Sequence, residues 1–413
     1  VREALEGTPT ELDLSGQDAA YLRALLGPTC SFDTLPGGGC CATIRRVAGL
    51  WSLPSGETLA VHPAKGNGAD IFAWMCAVDP RFRPVKWRGV AREGSDAQGD
   101  VASITVRAFA QVLGDDLSRA GPRRDYQRRE ADASMVRGAI RWGALARRTS
   151  PMPVPCRFWE RDIDTPLNRL FAAAIHTASS HRGLREAGGQ ALERLRGIFG
   201  HVSRLPPAWI LDRTRPLSRL ESEFEGARSL AIAILGAVGL AHGGAERALA
   251  FHVDLARLFE MTIEAAVRTQ TWDGKVETQC RPPYEADASG EESRLDVLVR
   301  SGGEALVIDA KYSRKFSKEH LYQVLAYMKM LGARRGALVY PKGADVRGGR
   351  FWSAAGRPEW EVRLYTVDPV AVARPGAGEL MRLGMALKVG VAAPGGESSG
   401  GNGTVAARSG VIA

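Results

Sequence analysis

The chain has 413 residues, of which 45% are hydrophobic, and a formal net charge of +9. That length and apolar content support two or three buried cores and exclude a fibrous or wholly disordered chain. The charge favours a polyanionic partner, six cysteines without C-x-x-C spacing argue against a disulfide scaffold and for a reducing, cytoplasmic setting, and neither a secretory leader nor a membrane span is expected: the longest apolar run, "SLAIAILGAVGLA", is too short for a bilayer.

Residues 1–120 mix short strand-like segments ("CCATIRRVAGLWSL", "ETLAVHPA", "DVASITVRAFAQVL") with loops rich in Gly, Pro and Asp, so a small β-rich or α+β N-terminal module is expected there. Residues 121–245 read as a basic and helical middle region. It begins with eight Arg against three acids over 121–150, and turns to helical spacing at "DTPLNRLFAAAIHTASS", with a break at the Pro pair of "SRLPPAWILDRTRP". Helical spacing returns in "AERALAFHVDLARLFEMTIEAAVRTQ", where Leu255, Leu258, Phe259, Ile263 and Val267 form the apolar stripe of a helix. Residues 246–392 then follow the order helix, strand, strand, helix, strand. The strands are the two arms of "RLDVLVRSGGEALVIDAKY" and "RRGALVYP"; the second helix is "SKEHLYQVLAYMKML", with Ser317 able to cap it. Residues 393–413 are Gly/Ser-rich and expected to be disordered.

The strand pair sets a chemical problem. A tight turn at Gly302-Gly303, where both residues need positive φ, puts Ser301 opposite Glu304 and, counting outward, Asp296 opposite Asp309. Directly opposed residues have Cβ atoms roughly 4.5–5.5 Å apart, and like charges there destabilise the sheet unless a cation neutralises them. Lys311 lies two residues beyond Asp309 and so shares its face. Glu260 lies on the preceding helix, and Gln323 and Tyr327 lie four apart on one face of the following one, where they could bond a phosphate or a bound water. Ten Lys or Arg against two acids over 311–350 surround this set, and Arg314, Lys315 and Lys318 could meet backbone phosphates.

The set Glu260, Asp296, Asp309-Ala310-Lys311 and Gln323-x-x-x-Tyr327 resembles the PD-(D/E)xK nuclease superfamily in its variant with a Q-x-x-x-Y helix. "FHVDLARLFE", "SRLDVLVR", "LVIDAKYSR", "LYQVLAYM" and "GALVYP", in this order, resemble the McrC nuclease subunits of McrBC-type modification-dependent restriction systems. "VAGLWSLPSGETLAVHPAKG", "RDYQRREADASMVRGAIRWG" and "VPCRFWERDIDTPLNRLFAAAI" extend the likeness over residues 45–345. It implies a mixed α+β and α/β multidomain chain with a restriction-endonuclease-like α/β core. It also implies Mg²⁺, which Mn²⁺ may replace, held by Asp296, Asp309 and Glu260, either directly or through water, with Lys311, Gln323 and Tyr327 serving cleavage of double-stranded, modified DNA. No Walker A pattern G-x-x-x-x-G-K-[ST] occurs, so the chain is not expected to hydrolyse nucleotide itself. The resemblance implies an AAA+ partner of the McrB type, a hexameric GTPase, docked by the N-terminal module and stimulated by it. The alternatives are a stand-alone repair nuclease of the same superfamily and a catalytically inert activator of an AAA+ ring.

Overall fold

The structure is a computed structural model that describes residues 1–34, 40–85, 99–203, 216–237, 250–281, 294–346, 351–354, 357–374, 378–389 and 410–412. The Pro206-Pro207 break and residues 393–409 of the expected tail lie outside the described residues; Gly410–Ile412 of that tail form a short strand. The chain divides into two compact units. One comprises residues 1–49, 53–83 and 252–413; the other comprises 50–52 and 84–251. This grouping differs from a division at 120 and 245, because the first 83 residues cluster with the C-terminal part rather than with the helix that follows them.

Over residues 1–83, strands β1 (Arg2–Leu5), β2 (Thr10–Leu12), β3 (Cys30–Thr34), β4 (Cys40–Ile44), β5 (Val47–Ser52, whose last three residues group with the second unit) and β6 (Thr58–His62) are joined by helix α1 (Gly16–Leu26) and followed by α2 (Gly68–Val78). The expected strands in "CCATIRRVAGLWSL" and "ETLAVHPA" are thus present. β1 pairs parallel with β6, and β2 and β3 flank β4 antiparallel.

The second unit contains α3 (Val101–Ala120), β7 (Asp125–Ala133), β8 (Ala139–Ile140), α4 (Trp142–Leu145), β9 (Val154–Asp162), α5 (Pro166–Ser180), α6 (Arg182–Ile198) and α7 (Glu225–Gly236). One expectation fails here. "DVASITVRAFAQVL" is a helix, not a strand: Asp100 caps it through the amides of Ala102 and Ser103, and its buried residues Val101, Ile104, Thr105, Ala108, Phe109, Val112 and Leu113 follow the helical repeat. The basic run, which spacing assigns to no element, enters an antiparallel sheet, β7–β9–β8, with the short α4 between β8 and β9. Nearly every side chain of β7 is accessible to solvent, so no apolar alternation marks it. The helices pack around Phe171, whose ring centroid lies 6.4, 6.1 and 5.9 Å from those of Phe109, Phe199 and Phe224.

The chain returns to the first unit through β10 (Ala250–Asp254) and α8 (Leu255–Arg268). Ala250 to Asp254, read as helix from spacing, is strand, and Asp254 ends it by capping α8 through Arg257 N–H. A larger sheet follows, made of β11 (Gly274–Cys280), β12 (Leu295–Ser301), β13 (Glu304–Ala310), β14 (Arg335–Pro341), β15 (Phe351–Ala354), β16 (Arg357–Val367) and β17 (Gly410–Ile412). Its order is β11-β12-β13-β14-β16-β15-β17, with β13, β14 and β16 parallel. Helix α9 (Lys318–Leu331) joins β13 to β14, and α10 (Pro369–Val372) and α11 (Glu379–Val389) follow β16. Ser317 caps α9 as expected, and Leu321, Val324 and Met328 bury against Leu298, Val307 and Leu338. Helix and sheet approach closely at Gly336, where a Cβ would fall 2.6 Å from Val324 Cγ1 and 2.7 Å from Met328 Sδ. Among the described residues no helix is long and apolar enough to cross a membrane.

Candidate active site

The β12–β13 turn has the geometry its sequence requires, with φ of 59° at Gly302 and 81° at Gly303. Pairing runs from Ser301 opposite Glu304 to Val297 opposite Ile308. Continuing it by one position brings Asp296 against Asp309, but there the ladder gives way to a side chain: Asp296 Oδ2 accepts a 2.6 Å hydrogen bond from Ala310 N–H. Both aspartates are buried, at 8% and 2% exposure.

Lys311 follows on the same face, its backbone held by Val339 C=O at 2.8 Å. Its Nζ stands 2.8 Å from Asp309 Oδ2 and donates at 2.8 Å to Gln323 Oε1. Gln323 Nε2 donates to Tyr327 Oη at 3.0 Å, and Tyr327, itself buried, donates to Arg294 C=O at 3.4 Å. The two helix residues expected to face a substrate thus form a relay that fixes the lysine. The i, i+4 spacing on α9 makes that relay possible.

Glu260 stands apart from this chain of contacts. Its carboxylate accepts from Arg257 Nη1 at 2.7 Å and from Gln279 Nε2 at 3.4 Å. Among the described residues no group of three or more His, Cys, Asp or Glu side chains is gathered closely enough to hold a metal ion, so the three-carboxylate set is not assembled as expected. Glu260 still acts at a distance. Asp296 is pushed up to about 8 by burial first, then by the charges of Asp309 and Glu260. Asp309 is raised chiefly by burial, which outweighs the neighbouring Lys311.

This charge balance is the test of whether a cation fits. Two buried carboxylates share one lysine, and among the described residues no cation lies within ion-pair distance of Asp296. Removing two such charges from water is unfavourable while one stays uncompensated. Carboxylate oxygens are the donors that Mg²⁺ and Mn²⁺ prefer, so the pair fits a hard divalent cation.

Arg314, Lys315 and Lys318 are exposed next to this site. Arg314 is anchored, donating to Glu6 C=O at 2.8 Å, whereas Lys315 and Lys318 project from the β13–α9 connection and the start of α9.

Gln279 and Arg257 are absent from the sequence reading. Gln279 lies in β11, which that reading assigns to no element, although "DGKVETQC" has a turn signal before an alternating run. Thr278 pairs with Val297 and Cys280 with Leu295, which leaves Gln279 opposite Asp296 at a positive φ of 52°. Arg257 lies one turn before Glu260, a spacing that suggests an ion pair.

A profile for the McrBC 5-methylcytosine restriction system component matches residues 42–341. No curated protein matches the chain. Among solved structures it is similar to a chain of the refined half-complex from the tetradecameric assembly of Thermococcus gammatolerans McrB AAA+ hexamers with bound McrC, with 15% identity, 93% of this chain and 99% of that chain covered, and a TM-score of 0.66. A chain of the Thermococcus gammatolerans McrBC complex also matches, with 15% identity, 64% and 85% coverage and a TM-score of 0.42. With the family profile spanning most of its length, this chain belongs to the McrBC 5-methylcytosine restriction system component family.

Proposed function

We propose that this chain is the metal-dependent DNA endonuclease subunit of an McrBC-type restriction system, working with an AAA+ NTPase hexamer. One observation carries the reading: two buried, facing carboxylates with a lysine beside them, at the end of a strand pair inside a sheet flanked by α8 and α9. That arrangement supports a PD-(D/E)xK core. Asp296 and Asp309 would hold Mg²⁺ or Mn²⁺, with Glu260 the next carboxylate in reach of a bound water; the ion supplies Lewis acidity at the phosphate and a water of lowered pKa. Lys311, steered by Gln323 and Tyr327, orients the attacking water and stabilises charge on the phosphate oxygens as the new P–O bond forms and the ester P–O bond breaks. Arg314, Lys315 and Lys318 hold backbone phosphates without reading bases.

The test is cleavage of 5-methylcytosine-bearing double-stranded DNA by the assembled complex with partner, nucleotide and Mg²⁺, together with melting of the isolated chain. Mn²⁺ is expected to raise the melting temperature of the wild type, because a ligand that binds the native state stabilises it, and to leave Asp296→Asn unmoved. A second reading, an inert activator of the ring, draws on one observation: Glu260 is engaged by Arg257 rather than grouped with the aspartates. Absence of both cleavage and metal response would favour it.

Residues 1–120 are unsuited to a deletion test of partner docking, since removing them takes β1, β5, β6 and α2 out of the unit that bears the site. The β7–β9 sheet offers a surface of interface composition. Tyr126 and Trp159 are each about two-thirds exposed, and their pairing with Arg161 and Arg128 puts all four on one sheet face. Large aromatics and Arg are the residues that carry interface energy. Part of the basic run here is ion-paired, by Arg129–Glu160 across the strands and by Arg141–Glu130 and Arg148–Asp132 beside them, which weakens it as a DNA surface. Tyr126→Ala with Trp159→Ala is expected to weaken binding to the AAA+ hexamer at least tenfold and leave the fold intact. Unchanged affinity by sedimentation or calorimetry would move the interface elsewhere.

A further inference from the structure

A cavity of about 510 Å³ lies in the site-bearing unit, beyond the end of β13. Tyr312, Ser313 and Arg314, which follow Lys311 directly, form part of its wall, yet none of Asp296, Asp309, Lys311 and Gln323 lines it. It is therefore a separate space next to the proposed cleavage site.

Its lining is amphipathic. Five cations, Arg45, Arg46, Lys65, Arg314 and Lys342, face two carboxylates, Glu6 and Asp70. Both carboxylates are engaged: Glu6 Oε1 accepts from Arg46 N–H at 3.1 Å and its Oε2 lies 3.9 Å from Arg314 Nη2, and Asp70 Oδ2 accepts from Asn67 N–H at 2.9 Å as part of the cap of α2. Arg314 is fixed by its bond to Glu6 C=O, and Lys65 by a bond to Lys342 C=O. The cavity thus keeps an excess of positioned positive charge.

The remaining wall is apolar and partly aromatic. Trp74 and Ile71, 2% and 3% exposed, lie behind that wall, with the Trp74 indole N–H spent on Thr262 Oγ1 at 2.7 Å, while Leu5, Ala64 and Val370 are accessible along it. The Tyr312 ring is held by Phe259, with centroids 5.8 Å apart. An apolar wall beside positioned cations suits a nucleobase and its phosphate, and the volume lies within the range of small-ligand pockets.

We propose that this cavity binds a nucleoside monophosphate, with the base against the apolar wall of Leu5, Tyr312 and Val370 and the phosphate on Lys65, Lys342 and Arg46. The chemistry is shared by a free nucleotide and by a nucleotide of a DNA strand turned into the cavity. The inference does not rest on the nuclease reading, and its test involves no cleavage.

Titrate the full chain with deoxyadenosine 5′-monophosphate by calorimetry, in buffer containing a chelator so that the acidic site plays no part. The wild type is expected to bind, with deoxyadenosine and inorganic phosphate each at least tenfold weaker, because each lacks half of the recognised groups. Lys65→Ala combined with Lys342→Ala removes two exposed cations, and Ala64→Trp fills the space; each should weaken binding at least tenfold with an unchanged melting temperature. Should Ala64→Trp fail to fold, the lysine variant decides alone. Competition by a 5′-phosphorylated single-stranded oligonucleotide assigns the cavity to a DNA strand, and lack of competition assigns it to a free nucleotide. Absence of wild-type binding up to about 1 mM monophosphate, where binding free energy has fallen to about −4 kcal/mol, overturns the proposal. So does affinity that the variants leave unaltered.

Discussion

Lys311→Ala is expected to lower DNA cleavage by the assembled complex by about a hundred- to a thousand-fold, the usual loss when a preorganised charge donor leaves a reacting centre. Asp309→Ala should do at least as much, since it removes one of the two carboxylates proposed to hold the metal. Both variants should keep the fold. Lys311 packs at the end of β13 without joining the core, and its loss leaves Asp309 able to take up a proton in place of its ion pair. Gln323→Leu offers an informative contrast. It leaves the lysine in place but cuts its link to Tyr327, so the expected fall is smaller, about tenfold. Circular dichroism checks the fold, and a cleavage time course reads the rate. Full-rate cutting by Lys311→Ala would remove that residue from the chemistry.

Asp296→Asn is expected to stabilise the metal-free protein above neutral pH and to flatten its pH dependence. The sign follows from the direction of the shift. Asp296 binds its proton more tightly folded than unfolded, moving from the ordinary carboxylate value up to about 8, so its favourable contribution is complete below about pH 4. That contribution is lost as pH rises towards 8, where the folded chain must either ionise a buried carboxyl or hold its proton against bulk solvent. A shift of this size corresponds to several kcal/mol at most, on the order of 1.4 kcal/mol per unit. Asparagine keeps the acceptor for Ala310 N–H without the charge. Melting curves from pH 5 to 9 in chelator should therefore fall for wild type and stay nearly level for the variant. Parallel curves would mean that Asp296 ionises freely, and the reason for a cation there would go with them.

The part of the site legible in the sequence is the part set by local rules. A Gly-Gly turn fixes register, register fixes which carboxylates meet, and i, i+4 spacing fixes that Gln323 and Tyr327 touch; each of these involves residues near in sequence. The direction of the α9 contacts was not legible, because whether Gln323 faces a ligand or Lys311 depends on how closely the helix approaches β14 at Gly336. Glu260 shows the same limit. Its helix and buried stripe follow from apolar spacing, but its engagement by Arg257 and Gln279 needs β11 in place, a strand whose half-buried side chains leave only a faint alternation. Strand β7 exposes most of its side chains, so binary pattern carries no signal there, while in α3 the β-branched residues favour strand locally although their spacing is helical. The grouping of residues 1–83 with 252–413 is non-local and leaves no trace in composition.

The buried bond between Trp74 and Thr262 joins residues 188 positions apart, with α2 contributing one partner and α8 the other. During synthesis the tryptophan leaves the ribosome long before its acceptor exists. At ordinary elongation rates the wait is roughly 10–40 s, during which the segment that will brace α8 remains without its counterpart while the intervening residues 84–251 can already fold. On ribosomes arrested after residue 251, the unit of residues 84–251 should therefore already resist proteolysis while β1, β6 and α2 do not, because the residues they group with, 252–413, have not been made.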